Sequence, residues 1–100
     1  MAAVKLGLVI ATREHLADAV ALAQAARRVR VEVGVFAMDA GAVALAAEPA
    51  AALALLEADC DVIVCSNSAV GLELADGIVR GSQDDHAALL ATSDRVVALC

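Results

Sequence analysis

Short apolar runs alternate with Ala-rich, helix-like stretches along the whole chain. Four runs rich in Val, Ile and Leu have the length of strands, at residues 4–11, 29–38, 60–65 and 94–100. The segments between them have the spacing of helices, in the order strand, helix, strand, two helices, strand, two helices, strand. This order predicts an α/β fold, a three-layer α/β/α sandwich with a mostly parallel sheet of four to five strands. We expect residues 1–100 to form a single domain.

The second run differs from the others because its apolar and polar positions alternate. Val31, Val33 and Val35 are separated by Glu32 and Gly34, which is the two-residue period of a strand with one solvent-exposed face. We therefore expect this strand at or near an edge of the sheet.

Several residues mark where helices begin. Thr12 is the predicted N-cap of the first helix, and Ser82 or Asp84 of the last. The most apolar stretch, "AGAVALAAEPAAALALLEA", is interrupted by Glu48 and Pro49, so we interpret it as two short helices rather than a membrane span. Pro49 suits the first turn of the second helix, where no N–H is needed.

Composition narrows the range of partners. The chain has 13 acidic and 7 basic residues and a net charge of −6, which disfavours direct binding to nucleic acid. It is 62% hydrophobic, with 26 alanines among 100 residues, so we expect a homo-oligomer that buries part of this apolar area between subunits. The start of the chain lacks the pattern of a secretory signal, and free thiols in a cytoplasmic protein are the expectation.

The motifs of common cofactor sites are missing. The stretch after the first strand, "VIATREHLAD", has no glycine, and no P-loop sequence occurs. His15 and His86 have no second ligand at helical spacing, and Asp84 with Asp85 suits the first turn of a helix. We predict no cofactor and no metal, and structural or solvent-exposed roles for these four residues.

Cys65 is the candidate for chemistry because it ends an apolar strand. Ligands of open α/β sheets gather at the carboxyl ends of strands. If "SNSAVGLEL" begins a helix, the N–H groups of its first turn favour a thiolate. The alternative is a buried cysteine that acts as a small apolar side chain. Cys60, at the other end of the strand, is expected to be structural, and Cys100 is an incidental thiol or a relay thiol.

The run "DVIVCSNSAVGLELADGIVRGSQDDHAALLATSDRVVAL" resembles the C-terminal half of the DsrE/DsrF-like sulfur-relay family. The shared features are a strand that ends in Cys, a short helix closed by Gly, a loop, a helix and a final "DRVV" strand. The front half is similar more loosely. The resemblance implies an oligomer of two, three or six subunits and a persulfide-carrying cysteine at Cys65. The chain departs from many relatives in having Ser66 after the cysteine and Glu73 beyond Gly71.

Three hypotheses follow. In the first, the protein is a small cytoplasmic sulfur carrier with Cys65 as its catalytic thiol. Ser66, Asn67 and Ser68 then supply N–H or hydroxyl donors to the thiolate, and the partners are sulfur donor and acceptor proteins. In the second, it is a non-catalytic oligomeric subunit or interaction protein of a sulfur-relay complex. The third, a small-ligand or nucleotide-binding module, has the least support because the glycine motif is missing.

Overall fold

Five parallel strands form the centre of the protein in a computed structural model, which describes residues 4–100. The strands are β1 (Lys5–Ile10), β2 (Glu32–Ala37), β3 (Asp61–Cys65), β4 (Val79–Gly81) and β5 (Arg95–Leu99). Their order across the sheet is β4-β3-β2-β1-β5, and all neighbouring pairs run parallel. The helices are α1 (Leu16–Arg28), α2 (Asp39–Ala47), α3 (Pro49–Glu57) and α4 (Gln83–Thr92).

The helices form two layers of unequal size. The larger core lies on the face covered by α1, α2 and α3, where strand residues such as Leu8, Ile10 and Val64 meet Leu16 and Leu55. On the opposite face, α4 packs alone over β1 and β2. This arrangement confirms the predicted three-layer α/β/α sandwich and its parallel sheet. It leaves the β3 and β4 side of the second face open.

The predicted edge location of the second strand is wrong, because β2 is the central strand of the sheet. Five of its six residues are buried, and only Glu32 at its start is exposed. Gly34, which the pattern predicted to be solvent-exposed, lies under α4. A Cβ at Gly34 would stand 2.6 Å from Leu89 Cδ1, so the position is empty to let the helix approach. The glycine in the alternating pattern therefore reflects the close approach of α4 and not exposure to solvent.

The start of α1 also differs from the prediction. Residues 13–15 form a turn in which the Leu16 N–H donates to the Arg13 carbonyl over 3.3 Å. The helix begins at Leu16, and His15 occupies the N-cap position in place of Thr12. The chain leaves β1 through a short loop before it turns into the helix.

The predicted starts of two other helices are confirmed. Ser82 caps α4, with its hydroxyl accepting from the Asp84 N–H over 3.2 Å, while the Asp85 carboxylate accepts from the Ser82 N–H over 2.8 Å. This reciprocal capping box gives the Asp85 carboxylate a structural role, and Asp84 contributes its backbone N–H. Pro49 lies in the first turn of α3.

Within residues 4–100, no single helix has the length and apolarity required to cross a bilayer. Of the described helices, only α2 and α3 together have that length and apolarity, and their axes bend by 93° at the junction between them.

Close packing of α2 against β1 depends on Gly41. A Cβ at this position would overlap the backbone carbonyl of Ile10, which cannot move without disturbing the sheet. We expect Gly41→Ala to lower the free energy of unfolding by about 1–3 kcal/mol, as overpacking does in other cores. Thermal unfolding followed by circular dichroism measures this loss. The control is Ala40→Ser, at an exposed position of the same helix; equal midpoints for the two variants contradict the packing argument.

Candidate functional site

Cys65 is the last residue of β3 and lies where the carboxyl ends of the parallel strands meet. Its side chain is on the same face of the sheet as α4. There it packs with two buried residues, Phe36 and Leu89, and with the half-buried Met38 and Ile63. One side of the sulfur is therefore in contact with apolar side chains, which we call its apolar floor. Polar groups near the sulfur come from the segment that follows the strand.

That segment is a series of turns, and the predicted helix after Cys65 does not form. Residues 66–71 are turns, and the chain then crosses to β4 without further helix. A single helical turn is present, because the Ala69 N–H donates to the Cys65 carbonyl over 3.0 Å. Ala69 is fully buried and anchors the loop to the core. The left-handed conformation at Gly71, with φ of 76°, ends this turn and prevents its continuation.

Arg80 holds the loop in place from β4. Its guanidinium donates to the carbonyl oxygens of Ala69, over 2.9 Å, and of Leu72. Both carbonyls of the loop are thereby paired with a side chain of the neighbouring strand. One strand thus supplies the cysteine and its neighbour fixes the loop around it.

The three residues after Cys65 have different roles. The backbone N–H groups of Ser68 and Asn67 and the Ser68 hydroxyl lie near enough to the sulfur to lower the pKa of the Cys65 thiol. The Ser66 N–H donates instead to the Gly81 carbonyl over 2.8 Å, so it pairs β3 with β4 and does not face the sulfur. Asn67 and Ser68 therefore lie beside Cys65, whereas the backbone of Ser66 pairs with the sheet; the role of Asn67 and Ser68 as thiolate donors stays a prediction.

A second contact orients the Ser68 hydroxyl. The Asp39 N–H donates to Ser68 Oγ over 2.9 Å, which leaves the hydroxyl proton to point at Cys65. Asp39 adopts a left-handed backbone conformation, with φ of 51°, at the start of α2. Such a conformation is uncommon outside glycine. The turn after β2 therefore contributes to the site as well as the turn after β3.

These donors lower the pKa of the Cys65 thiol from its ordinary value. The largest cause is the Ser68 N–H, followed by the Ser68 hydroxyl, with smaller contributions from Asn67 and Gln83 and an opposing effect of burial. Cys60 behaves in the opposite way: burial raises its pKa, the nearby Asp59 and Asp61 add to the rise, and Arg27 offsets part of it. The two ends of β3 therefore carry thiols of opposite character.

Two residues of α4 belong to the site although the sequence did not point to them. Gln83 Nε2 lies 3.8 Å from Cys65 Sγ, and Gln83 Oε1 lies 3.0 Å from His86 Nδ1. The His86 ring stacks on Phe36 with a centroid separation of 4.9 Å. The available signal was the first-turn position of Gln83 in a helix that follows a strand. His15 is part of the turn before α1 and contacts Asp18.

Access to Cys65 is restricted, since the residue is 6% exposed. Beside its apolar floor, a groove of about 450 Å³ runs along α4 over the open part of the sheet. Phe36, Ile63 and Leu89 line this groove and also pack with Cys65. Within the described part of the chain, no three His, Cys, Asp or Glu side chains are grouped as metal ligands.

Comparison with known proteins defines the fold. No protein-family model and no curated protein matches this chain. Its structure is similar to that of BT1422, a conserved protein of unknown function from Bacteroides thetaiotaomicron, with a TM-score of 0.79. The match covers 95% of this chain and 94% of that chain at 13% sequence identity. At this identity the likeness concerns the fold, and it supports the α/β sandwich architecture.

Removing the Ser68 hydroxyl tests the donor set. We expect Ser68→Ala to raise the pKa of Cys65, because one donor to the thiolate is lost. The rate of Cys65 alkylation by iodoacetamide near neutral pH falls roughly fivefold, the equivalent of one net hydrogen bond of about 1 kcal/mol. The matched control is Ser66→Ala, in which the exposed hydroxyl is lost and the backbone bond to Gly81 is kept. An equal effect of both substitutions, or none, argues against this donor.

Proposed function

We propose that this protein is a small sulfur carrier that accepts and passes on a persulfide at Cys65. The observation that carries the proposal is the convergence of the Asn67 and Ser68 donors on one sulfur at the carboxyl end of a parallel strand. A thiolate is the nucleophile in sulfur exchange, and a lowered pKa makes it available at neutral pH. The resemblance of residues 61–99 to the DsrE/DsrF-like sulfur-relay family is consistent with this role.

The transfer is a nucleophilic displacement without net oxidation. The Cys65 thiolate attacks the outer sulfur of a donor persulfide, and a new S–S bond forms at Sγ. The S–S bond of the donor breaks, and its electron pair leaves with the donor sulfur as a thiolate. In the second step an acceptor thiolate attacks the outer sulfur now held on Cys65. Sγ departs as a thiolate again, and the donors in the loop stabilise the charge that returns to it.

The groove along α4 is the proposed docking surface for the sulfur donor and acceptor proteins. Its apolar lining of Phe36, Ile63 and Leu89 is continuous with the floor under Cys65. At its rim, Val79 on β4 is 57% exposed. A partner that seats an apolar side chain here would contact Phe36, Ile63 and Leu89, which also pack with Cys65.

Transfer of sulfur to Cys65 is tested by intact-protein mass spectrometry. The background is Cys60→Ala with Cys100→Ser, which leaves Cys65 as the one thiol. After incubation with glutathione persulfide, we expect a mass increase of one sulfur atom that dithiothreitol removes. The same background carrying Cys65→Ser is the control. No adduct on the Cys65 protein, or an equal adduct on the control, contradicts the proposal.

A second candidate function is a non-catalytic subunit of an oligomeric complex. Three apolar residues that are between 40% and 57% exposed favour this role. Val79 and Val96 lie on the face of the sheet that α4 covers, and Leu90 lies on α4 itself. Apolar groups on one layer are suited to contact with another subunit. In this role Cys65 is a packing residue under that contact.

Titration of the native thiols separates the two candidates. Cys100 is exposed and is expected to react first with a disulfide reagent such as dithiodipyridine. In the carrier, Cys65 reacts next under native conditions, well before the buried Cys60, whose pKa is raised. In the non-catalytic subunit, Cys65 and Cys60 react together and only after denaturation. Mass mapping of the modified cysteines at each time point gives the order.

A further inference from the structure

Gln83 links Cys65 to a histidine that the proposed chemistry has not used. It is the first residue of α4, directly after the Ser82 cap, and its Nε2 lies 3.8 Å from Cys65 Sγ. Long side chains near a helix start lean back toward the N-terminus, which here is the edge where the strands end. Gln83 is exposed, whereas Cys65 is buried. The Gln83 side chain therefore connects the buried sulfur with the protein surface.

His86 fixes the other end of that amide. It lies three residues further along α4, so both side chains share one face of the helix. His86 Nδ1 is 3.0 Å from Gln83 Oε1. The imidazole ring stacks on Phe36 with an angle of 13° between the planes, and Phe36 is 1% exposed in the central strand. Stacking on a buried aromatic residue confines the plane of the imidazole ring, and the contact with Gln83 Oε1 is made by its Nδ1.

The proton on His86 decides which end of the amide faces the sulfur. An amide that donates through Nε2 to Cys65 presents its oxygen to His86, and that oxygen accepts a hydrogen bond only from an Nδ1 that carries a hydrogen. In the reverse orientation, Oε1 would face the sulfur and repel a thiolate. A thiolate at Cys65 and a proton on Nδ1 therefore favour the same arrangement of Gln83.

We propose that Gln83 and His86 are positioning residues for Cys65: His86, stacked on Phe36, holds the Gln83 amide with its NH₂ group on the sulfur. As a part of sulfur transfer this inference rests on the proposed function, but the hydrogen bonding itself is tested without a sulfur donor. During transfer the NH₂ group faces Sγ when the acceptor takes the outer sulfur and the electron pair of the broken S–S bond returns to Cys65. It thus stabilises the leaving group of that step.

The test is the pH profile of Cys65 alkylation by iodoacetamide in the Cys60→Ala, Cys100→Ser background. The midpoint of the profile reports the pKa of Cys65, and the plateau at high pH reports access to the thiolate. We expect Gln83→Leu to move the midpoint upward and to slow alkylation near neutral pH by roughly threefold to tenfold, the range for one hydrogen bond. His86→Phe, which keeps a ring on Phe36, moves the midpoint in the same direction.

The double variant decides whether His86 acts through Gln83. If it does, adding His86→Phe to Gln83→Leu moves the midpoint no further, whereas independent roles give additive shifts. His15→Phe is the matched control, because His15 contacts Asp18 in the turn before α1. Should His86→Phe fail to fold, His86→Leu provides the same comparison.

An unchanged midpoint in Gln83→Leu, or additive shifts in the double variant, overturns the inference. Its failure is distinct from failure of the proposed function. A protein that gains no sulfur from glutathione persulfide but responds to these substitutions as expected loses the carrier role and keeps the positioning pair. A protein that gains sulfur and shows no response to Gln83→Leu keeps the carrier role alone.

Discussion

A negative charge on Cys65 has to be stabilised by neutral hydrogen-bond donors, and the surrounding structure serves this requirement. The N–H groups of Asn67 and Ser68 and the Ser68 hydroxyl converge on a sulfur that rests on apolar side chains. Because the pKa of folded Cys65 is lower than that of the unfolded chain, its ionisation stabilises the fold at pH values above the unfolded pKa. That contribution declines as the pH falls through the folded pKa. The site and the stability of the fold are thereby linked.

The parallel sheet makes this convergence possible. Every strand ends at the same edge, so the turns after β2 and β3 and the start of α4 meet around one atom. Asp39 comes from the first of these turns and binds Ser68 from the second, while Arg80 on β4 binds two carbonyl oxygens of the loop. Local sequence alone would not make this loop rigid. Its conformation depends on neighbours that are distant along the chain.

The hydrophobic pattern was sufficient to predict the layers and the parallel sheet, because each strand and helix carries its own period. It failed at positions where the residue type is determined by contact with another helix or strand. Gly34 looked like a wet position, yet it gives α4 room above the central strand. The stretch after Cys65 was expected to begin a helix because it follows a strand, but the buried Ala69 and the left-handed Gly71 limit it to turns. Gln83 was not predicted because its contact with Cys65 spans 18 residues through β4.

The central claim is that the fold holds Cys65 as a thiolate more readily than an unstructured chain does. It is tested most directly by ultraviolet difference titration of the thiolate, comparing the Cys60→Ala, Cys100→Ser protein with the same protein carrying Cys65→Ser. We expect the Cys65 thiol of the folded protein to be half-ionised at a lower pH than in the same chain in denaturant. A folded midpoint equal to or above the denatured one would contradict it.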